Sequence, residues 1–214
     1  MSRAGKEVVI KAVVQAIPTY VMSCFRLTKS LCDDITSLIR SFWWGQRGEE
    51  KKICWLRWEL LCKPKAEGGM GFRDMESFNL ALLAKQGWRL IKNPDSLAAR
   101  VLKAKYFARM EFLTAKPRPT SSYLWRSILE GRKLLNKGIL WRVGNGEAIH
   151  VWDDPWIPVP TSFKVSQYSK DLWPEARGQD LIDSESGKWK IHLLNALFFK
   201  HEVEFIQKIP VSAG

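Results

Sequence analysis

Apolar residues recur along this chain mostly at helical spacing. Val9, Ile10, Val13, Val14 and Ile17 fall at offsets of one, three and four, forming one stripe of a helix that Pro18 ends or kinks. Leu31, Ile35, Leu38, Ile39, Phe42 and Trp43 predict a second helix. Ser30 suits its N-cap, Asp33 and Asp34 its positive end, and Gly45 its stop. Residues 51–56 fit a short strand and residues 58–62 a helical turn. Gly68, Gly69 and Gly71 make regular structure costly and predict a loop. A long helix is expected over 75–92, with Phe78, Leu82, Leu83 and Trp88 inward. Asn93 and Pro94 break it, and a helix restarts over 96–107. Two prolines mark residues 115–121 as a linker, and residues 123–136 read as another amphipathic helix that Gly138 stops.

The period then changes to alternation. Leu140 to Val143 and Ala148 to Trp152 flank Gly144-Asn145-Gly146, which predicts a β-hairpin over about residues 139–152. Beyond Pro155, Pro158 and Pro160 the pattern loosens, with short helices expected near 190–199 and 202–208. The expected fold is mainly α: a helical bundle with one small β-hairpin and a loosely structured C-terminal tail.

Composition sharpens this picture. Hydrophobic residues make up 46% of the 214, enough for a core and too many for wholesale disorder. The net charge of +12 is unevenly placed. Residues 1–150 carry 27 Lys and Arg against 13 Asp and Glu, a net of +14, and the other 64 carry 7 against 9. The densest stretch, residues 77–146, holds 14 basic and 3 acidic residues. Within it Lys85, Arg89 and Lys92 are spaced by four and three, opposite much of the apolar stripe. Arg100, Lys103 and Lys105 follow on the next helix, and Arg126, Arg132, Lys133 and Lys137 on the one after. Basic faces on successive helices can track a phosphate backbone, each contact releasing counterions and none reading a base. Composition alone leaves a merely solvated basic face equally open.

Among the 11 tryptophans, Trp43, Trp88 and Trp125 fall on apolar helix faces and are expected in the core. Trp141, Trp152 and Trp156 are expected to form an apolar knot around the hairpin rather than a stacking platform. No apolar run reaches the roughly 18–20 residues that span a bilayer, so no membrane partner is expected. The first residues lack the order of a secretion signal. They are mildly basic and amphipathic, like a mitochondrial transit peptide, although Glu7 and the absence of a Ser- and Arg-rich run argue against one. Four cysteines are expected as free thiols in a reducing intracellular compartment, nuclear or mitochondrial.

Ser2-Arg3-Ala4-Gly5-Lys6, Ala16-Ile17-Pro18-Thr19-Tyr20 and Met22-Ser23-Cys24-Phe25 open a series of blocks. Phe42-Trp43-Trp44-Gly45, Leu61-Cys62-Lys63-Pro64-Lys65 and Gly68-Gly69-Met70-Gly71-Phe72-Arg73-Asp74 continue it. Next come Asn79-Leu80-Ala81-Leu82-Leu83-Ala84-Lys85-Gln86, Tyr123-Leu124-Trp125-Arg126-Ser127-Ile128 and Trp141-Arg142-Val143-Gly144-Asn145-Gly146. Val151-Trp152-Asp153-Asp154-Pro155-Trp156-Ile157-Pro158 closes it. In order and spacing these blocks, over residues 2–160, resemble the region that follows the polymerase core of plant LINE-type (non-LTR) retrotransposon reverse transcriptases. An open reading frame of plant mitochondrial genomes, of the same element type, is similar as well. The resemblance implies a thumb-like helical region and connector that grip the template–primer duplex. It also implies that a zinc-binding reverse-transcriptase segment, often with a ribonuclease H, lies beyond.

Catalytic chemistry is harder to find. Template copying needs carboxylates converging on a pair of Mg²⁺ ions. Asp33-Asp34 is explained by a helix start, and Asp153-Asp154 is followed by Pro155, which spoils a return strand. The family's catalytic Asp pair lies upstream of the matched blocks. The cysteines are spaced by 8, 22 and 8, far from His150, His192 and His201, and fit no zinc motif. The loop around Gly68 lacks the Gly-Lys-Ser/Thr ending of a phosphate-binding loop.

The expectation is therefore a chain with no catalytic residue, metal ligand or cofactor of its own. It would bind RNA, DNA or a hybrid weakly and without sequence preference; a retroelement relic with no independent activity is the alternative. Three regions are expected: a helical thumb-like region over 1–115, a helix-plus-hairpin connector over 116–160, and a loosely packed tail over 161–214 leading toward a zinc-binding segment not contained here.

Overall fold

The computed structural model describes residues 1–45, 53–159, 163–166 and 173–211. Parts of the strand expected at 51–56 and of the tail expected at 161–214 lie outside these residues. The chain divides into two units, Met1–Asn136 and Lys137–Gly214. The described residues are mainly helical and contain no sheet.

In the first unit α1 (Arg3–Val9) runs into a π-helical turn (Ile10–Val14). Then come α2 (Thr19–Cys24), α3 (Lys29–Trp44), α4 (Trp58–Cys62), α5 (Met75–Lys92) and α6 (Leu97–Tyr106), and α7 spans Tyr123–Gly138. Ser2, Thr28, Asp74 and Ser96 each accept a hydrogen bond from the backbone N–H three residues on, satisfying one orphan donor of a first turn. The cap of α3 is thus Thr28 rather than Ser30, which moves Asp33 and Asp34 out of its first turn. Gly45 ends α3 in the left-handed conformation, with φ of 72°. Ile53 to Leu56 form no strand.

The π-helical turn corrects the first stripe. Gln15 N donates to Ile10 O over 2.9 Å, an i→i+5 bond that widens the turn and shifts the phase of everything after it. Ile10 and Gln15 are consequently buried, whereas Val13 and Ile17, expected inside, face solvent. The Gln15 amide is satisfied by one residue: Nε2 donates to Arg73 O (3.2 Å) and Oε1 accepts from Arg73 N (3.3 Å).

A second buried amide routes the chain from α2 into α3. Asn79 on α5 donates to Met22 O (2.7 Å) and Phe25 O (2.9 Å) and accepts from Leu27 N (2.9 Å). Each backbone group left unpaired by its loss would cost about 1–3 kcal/mol. Around these pins lie three apolar clusters, one on Ile10, Ile39 and Phe72, one on Met22 and Met75, and one on Trp125. Trp125 is stacked on Tyr106 (centroids 4.8 Å apart, rings within 5°) and on Phe107 (5.4 Å, 9°). Glycine lets α7 touch α5: a Cβ at Gly131 would lie 2.4 Å from Ala84 N.

In the second unit the expected hairpin does not form. Gly146 N donates to Val143 O (2.9 Å) and Gly146 adopts φ of 83°, so the turn is real. The returning residues pair elsewhere: Val151 N donates to Ala176 O and Gly178 N to Ile149 O, each over 2.9 Å. Trp141 N meets Pro155 O instead of a neighbouring strand. Backbone pairing is reduced to isolated bridges, Gly144 with Val211, His150 with Arg177, and Ile182 with Trp189. Trp152, Trp156 and Trp189 pack with Leu181, Leu194 and Ile206 of the downstream chain, where α8 spans Ile191–Leu197 and α9 spans Lys200–Ile206. The apolar knot of Trp141, Trp152 and Trp156 is present without the hairpin.

Candidate nucleic-acid interface

The cationic residues singled out by their spacing divide into outward and engaged groups. Lys85, Arg89 and Lys92 are exposed along one face of α5, on the side away from buried Leu83 and Gly87. Arg89 reaches back to Gln86 (3.3 Å), and Lys92 Nζ sits 5.8 Å from the Trp88 ring centroid. On α6 Arg100 and Lys103 are exposed one turn apart, while Lys105 turns over the Tyr106 ring at 5.4 Å. Asp95 lies between the two helices, and among the described residues none of these cations forms an ion pair with a carboxylate.

Along α7 the picture is mixed. Arg126, Lys133 and Lys137 fall on one exposed stripe. Arg126 Nη2 donates to Pro119 O (2.7 Å), and Lys133 pairs with Glu130 (2.8 Å). Arg132 is on the inner side, half-buried, and its Nη1 donates to Phe112 O (3.0 Å) and to Ala115 O. Its guanidinium thus holds the corner after α6 closed, and burial lowers its pKa from the ordinary value. The structure therefore brings nine of the ten cations to exposed positions and turns Arg132 inward.

Sequence spacing missed several residues of this surface. Arg109, Lys116 and Arg118 are exposed on the connection between α6 and α7, outside any helical period; their only signal was the local charge. Trp88, expected in the core, is 39% exposed among Lys85, Arg89 and Lys92. It lies five residues beyond Leu83, at the margin of the apolar face.

Other candidate chemistry is accounted for locally. In the loop around Gly69 the N–H groups of Gly69, Met70, Gly71 and Phe72 donate to the carbonyls of Pro64, Leu61, Lys63 and Leu61, leaving none for a phosphate. Asp154 Oδ2 accepts from His150 N (2.7 Å), closing the turn that carries Asp153. Among the described residues no three His, Cys, Asp or Glu side chains are grouped to hold a metal ion. Burial pushes the Cys32 thiol up and the Cys62 thiol up to about 11, away from the thiolate that nucleophilic or metal chemistry needs. No described helix is long and apolar enough to cross a membrane.

No family model matches the chain, and no solved structure matches it. Two proteins of Arabidopsis thaliana are similar to it. One, named "Uncharacterized mitochondrial protein", is 46% identical over 143 residues, covering 66% of this chain and 93% of its own length. The other, named "Putative ribonuclease H protein", is 34% identical over 194 residues, covering 84% of this chain. The chain spans 31% of that relative's length.

Proposed function

The chain belongs to the family of the Arabidopsis mitochondrial protein, and from that premise we propose that it is a non-catalytic, retroelement-derived region that holds nucleic acid. The parent would be a LINE-type reverse transcriptase, with this region following the polymerase core. One observation carries the binding role: the exposed cations of α5 and α6, with Arg109, Lys116 and Arg118 on the following connection, form no ion pair among the described residues. Such a surface neutralises phosphates by charge, with little sequence preference. Similarity to a protein named for ribonuclease H, a nucleic-acid enzyme, supports the same reading. Gel-shift titration at two salt concentrations tests it. Binding should weaken steeply with salt, and Lys85→Gln with Arg89→Gln should lower the salt slope by about two. Absence of binding at low salt overturns it. Primer extension on an RNA template should give no product.

A second reading, a relic without activity of its own, is favoured by the apolar surface of the first unit. Tyr20 is 80% and Leu38 71% exposed, with Val13, Ile17 and Leu31 also facing solvent. That reading predicts aggregation on expression alone. A soluble monomer that melts cooperatively counts against it.

A further inference from the structure

We propose that Trp88 is a stacking subsite for an unpaired base, so that the ligand of this face is a duplex carrying a single-stranded overhang rather than a blunt duplex. The inference rests on the nucleic-acid reading above and adds to it the class of structure recognised.

An indole is a large apolar surface that folding normally buries. Trp88 stays 39% exposed although three apolar clusters lie within its own unit. Its surroundings on α5 are cationic: Lys85 precedes it by three residues, Arg89 follows it, and Lys92 Nζ stands 5.8 Å from its ring centroid. Residues three and four apart share a helix face, so Lys85, Trp88 and Lys92 form one continuous strip. An apolar helix docking here would want further apolar anchors at the same spacing. Instead Ala84 is buried, Ile91 is partly buried, and the exposed neighbours are charged. A lone aromatic ring within a run of cations has the chemistry that holds unpaired strands: bases stack on the ring, and phosphates on either side meet the ammonium and guanidinium groups. Base pairs inside a duplex present no free π-face, so the paired interior of a ligand engages the cations alone.

Overhangs that differ only in their bases separate the two contributions. The full chain is titrated by fluorescence anisotropy at low salt with three duplexes: blunt, with an oligo-dT overhang, and with an abasic overhang of equal length. The abasic strand supplies the same phosphates and no rings. The dT overhang should bind about tenfold tighter than the abasic one. Trp88→Ala should abolish that difference, Trp88→Phe should keep most of it, and Lys92→Gln should weaken all three ligands. Equal affinity for dT and abasic overhangs, or a difference that survives in Trp88→Ala, overturns the subsite while leaving charge-driven binding in place. Competition by polyglutamate equal to that by oligo-dT would point to an acidic protein partner and also overturns it. Absence of binding to every duplex removes the underlying reading, and the subsite with it.

Discussion

Residues 1–136 carry 25 Lys and Arg against 12 Asp and Glu, whereas residues 137–214 carry 9 against 10, and the two units also use their indoles differently. In the second unit Trp152 donates to Trp173 O (3.2 Å), Trp156 to Val151 O (2.8 Å) and Trp189 to Ile209 O (3.1 Å). In the first, the buried indole nitrogens of Trp44, Trp58 and Trp125 find no partner. The cause is the backbone. Helices satisfy their own carbonyls, so an indole packed among them meets closed hydrogen bonds. The irregular second unit has few ladders, and its carbonyls must be met by side chains. Tryptophan is a filler where the chain is helical and a clasp where it is not.

The comparison is breakable. Trp156→Ala and Trp125→Ala each remove a fully buried indole, and each is expected to cost about 3–5 kcal/mol in urea unfolding. A cost below about 1 kcal/mol for either shows that its unit is not built around that ring. Gly131→Ala tests the helical packing of the first unit. The added carbon meets the α5 backbone rather than a flexible side chain, and a loss near 3 kcal/mol is expected. The sharpest contrast comes from Trp156→Phe beside Trp125→Phe. Both lose the same ring volume, but only the first orphans a carbonyl, so it should cost about 1–2 kcal/mol more. Equal losses dissolve the distinction between filler and clasp.

The smallest effect is electrostatic. Glu7 sits between Lys11 (2.8 Å) and Lys65 (2.7 Å), and hydrogen bonds from Lys11 and then Lys65 lower its pKa below the ordinary 4.5. A lowered carboxylate pKa stabilises the fold above the ordinary value, and this is lost as pH falls through the lowered one. The urea midpoint of Glu7→Gln should therefore lie below that of the unaltered protein at neutral pH, and the two should converge in acid. A gap that persists or widens at low pH assigns Glu7 a different role.

Much of the first unit was legible because its helices carry punctuation. Asp74 and Asn93 bound α5, and Ser96 opens α6, where local chemistry and tertiary packing agree. Three features were not. Nothing in residues 10–14 marks a π-helical turn, since its cause is tertiary, the burial of Gln15 against Arg73. The alternation around Gly144 predicts a hairpin, but the true partners of residues 149–151 lie at 176–178, beyond any local window. The apolar spacing of α5 predicts Trp88 inward, yet its angle sets it at the margin of that face, where it stays 39% exposed. Asn79 shows what a closer reading of spacing offers: a polar residue four from Met75 and four from Leu83 sits within the apolar stripe, which signals a buried pin.

The phase shift in the π-helical turn means that side-chain identity alone does not determine which residues of the N-terminal segment meet solvent. Deleting one residue between Ile10 and Gln15 would turn the Gln15 N–Ile10 O bond into an ordinary i→i+4 bond, keep Gln15 on the Ile10 face against Arg73, and leave Ile17 turned to solvent. The extra residue of the wide turn is thus one that this segment can lose by a one-codon deletion while the chain after Gln15 keeps its facing.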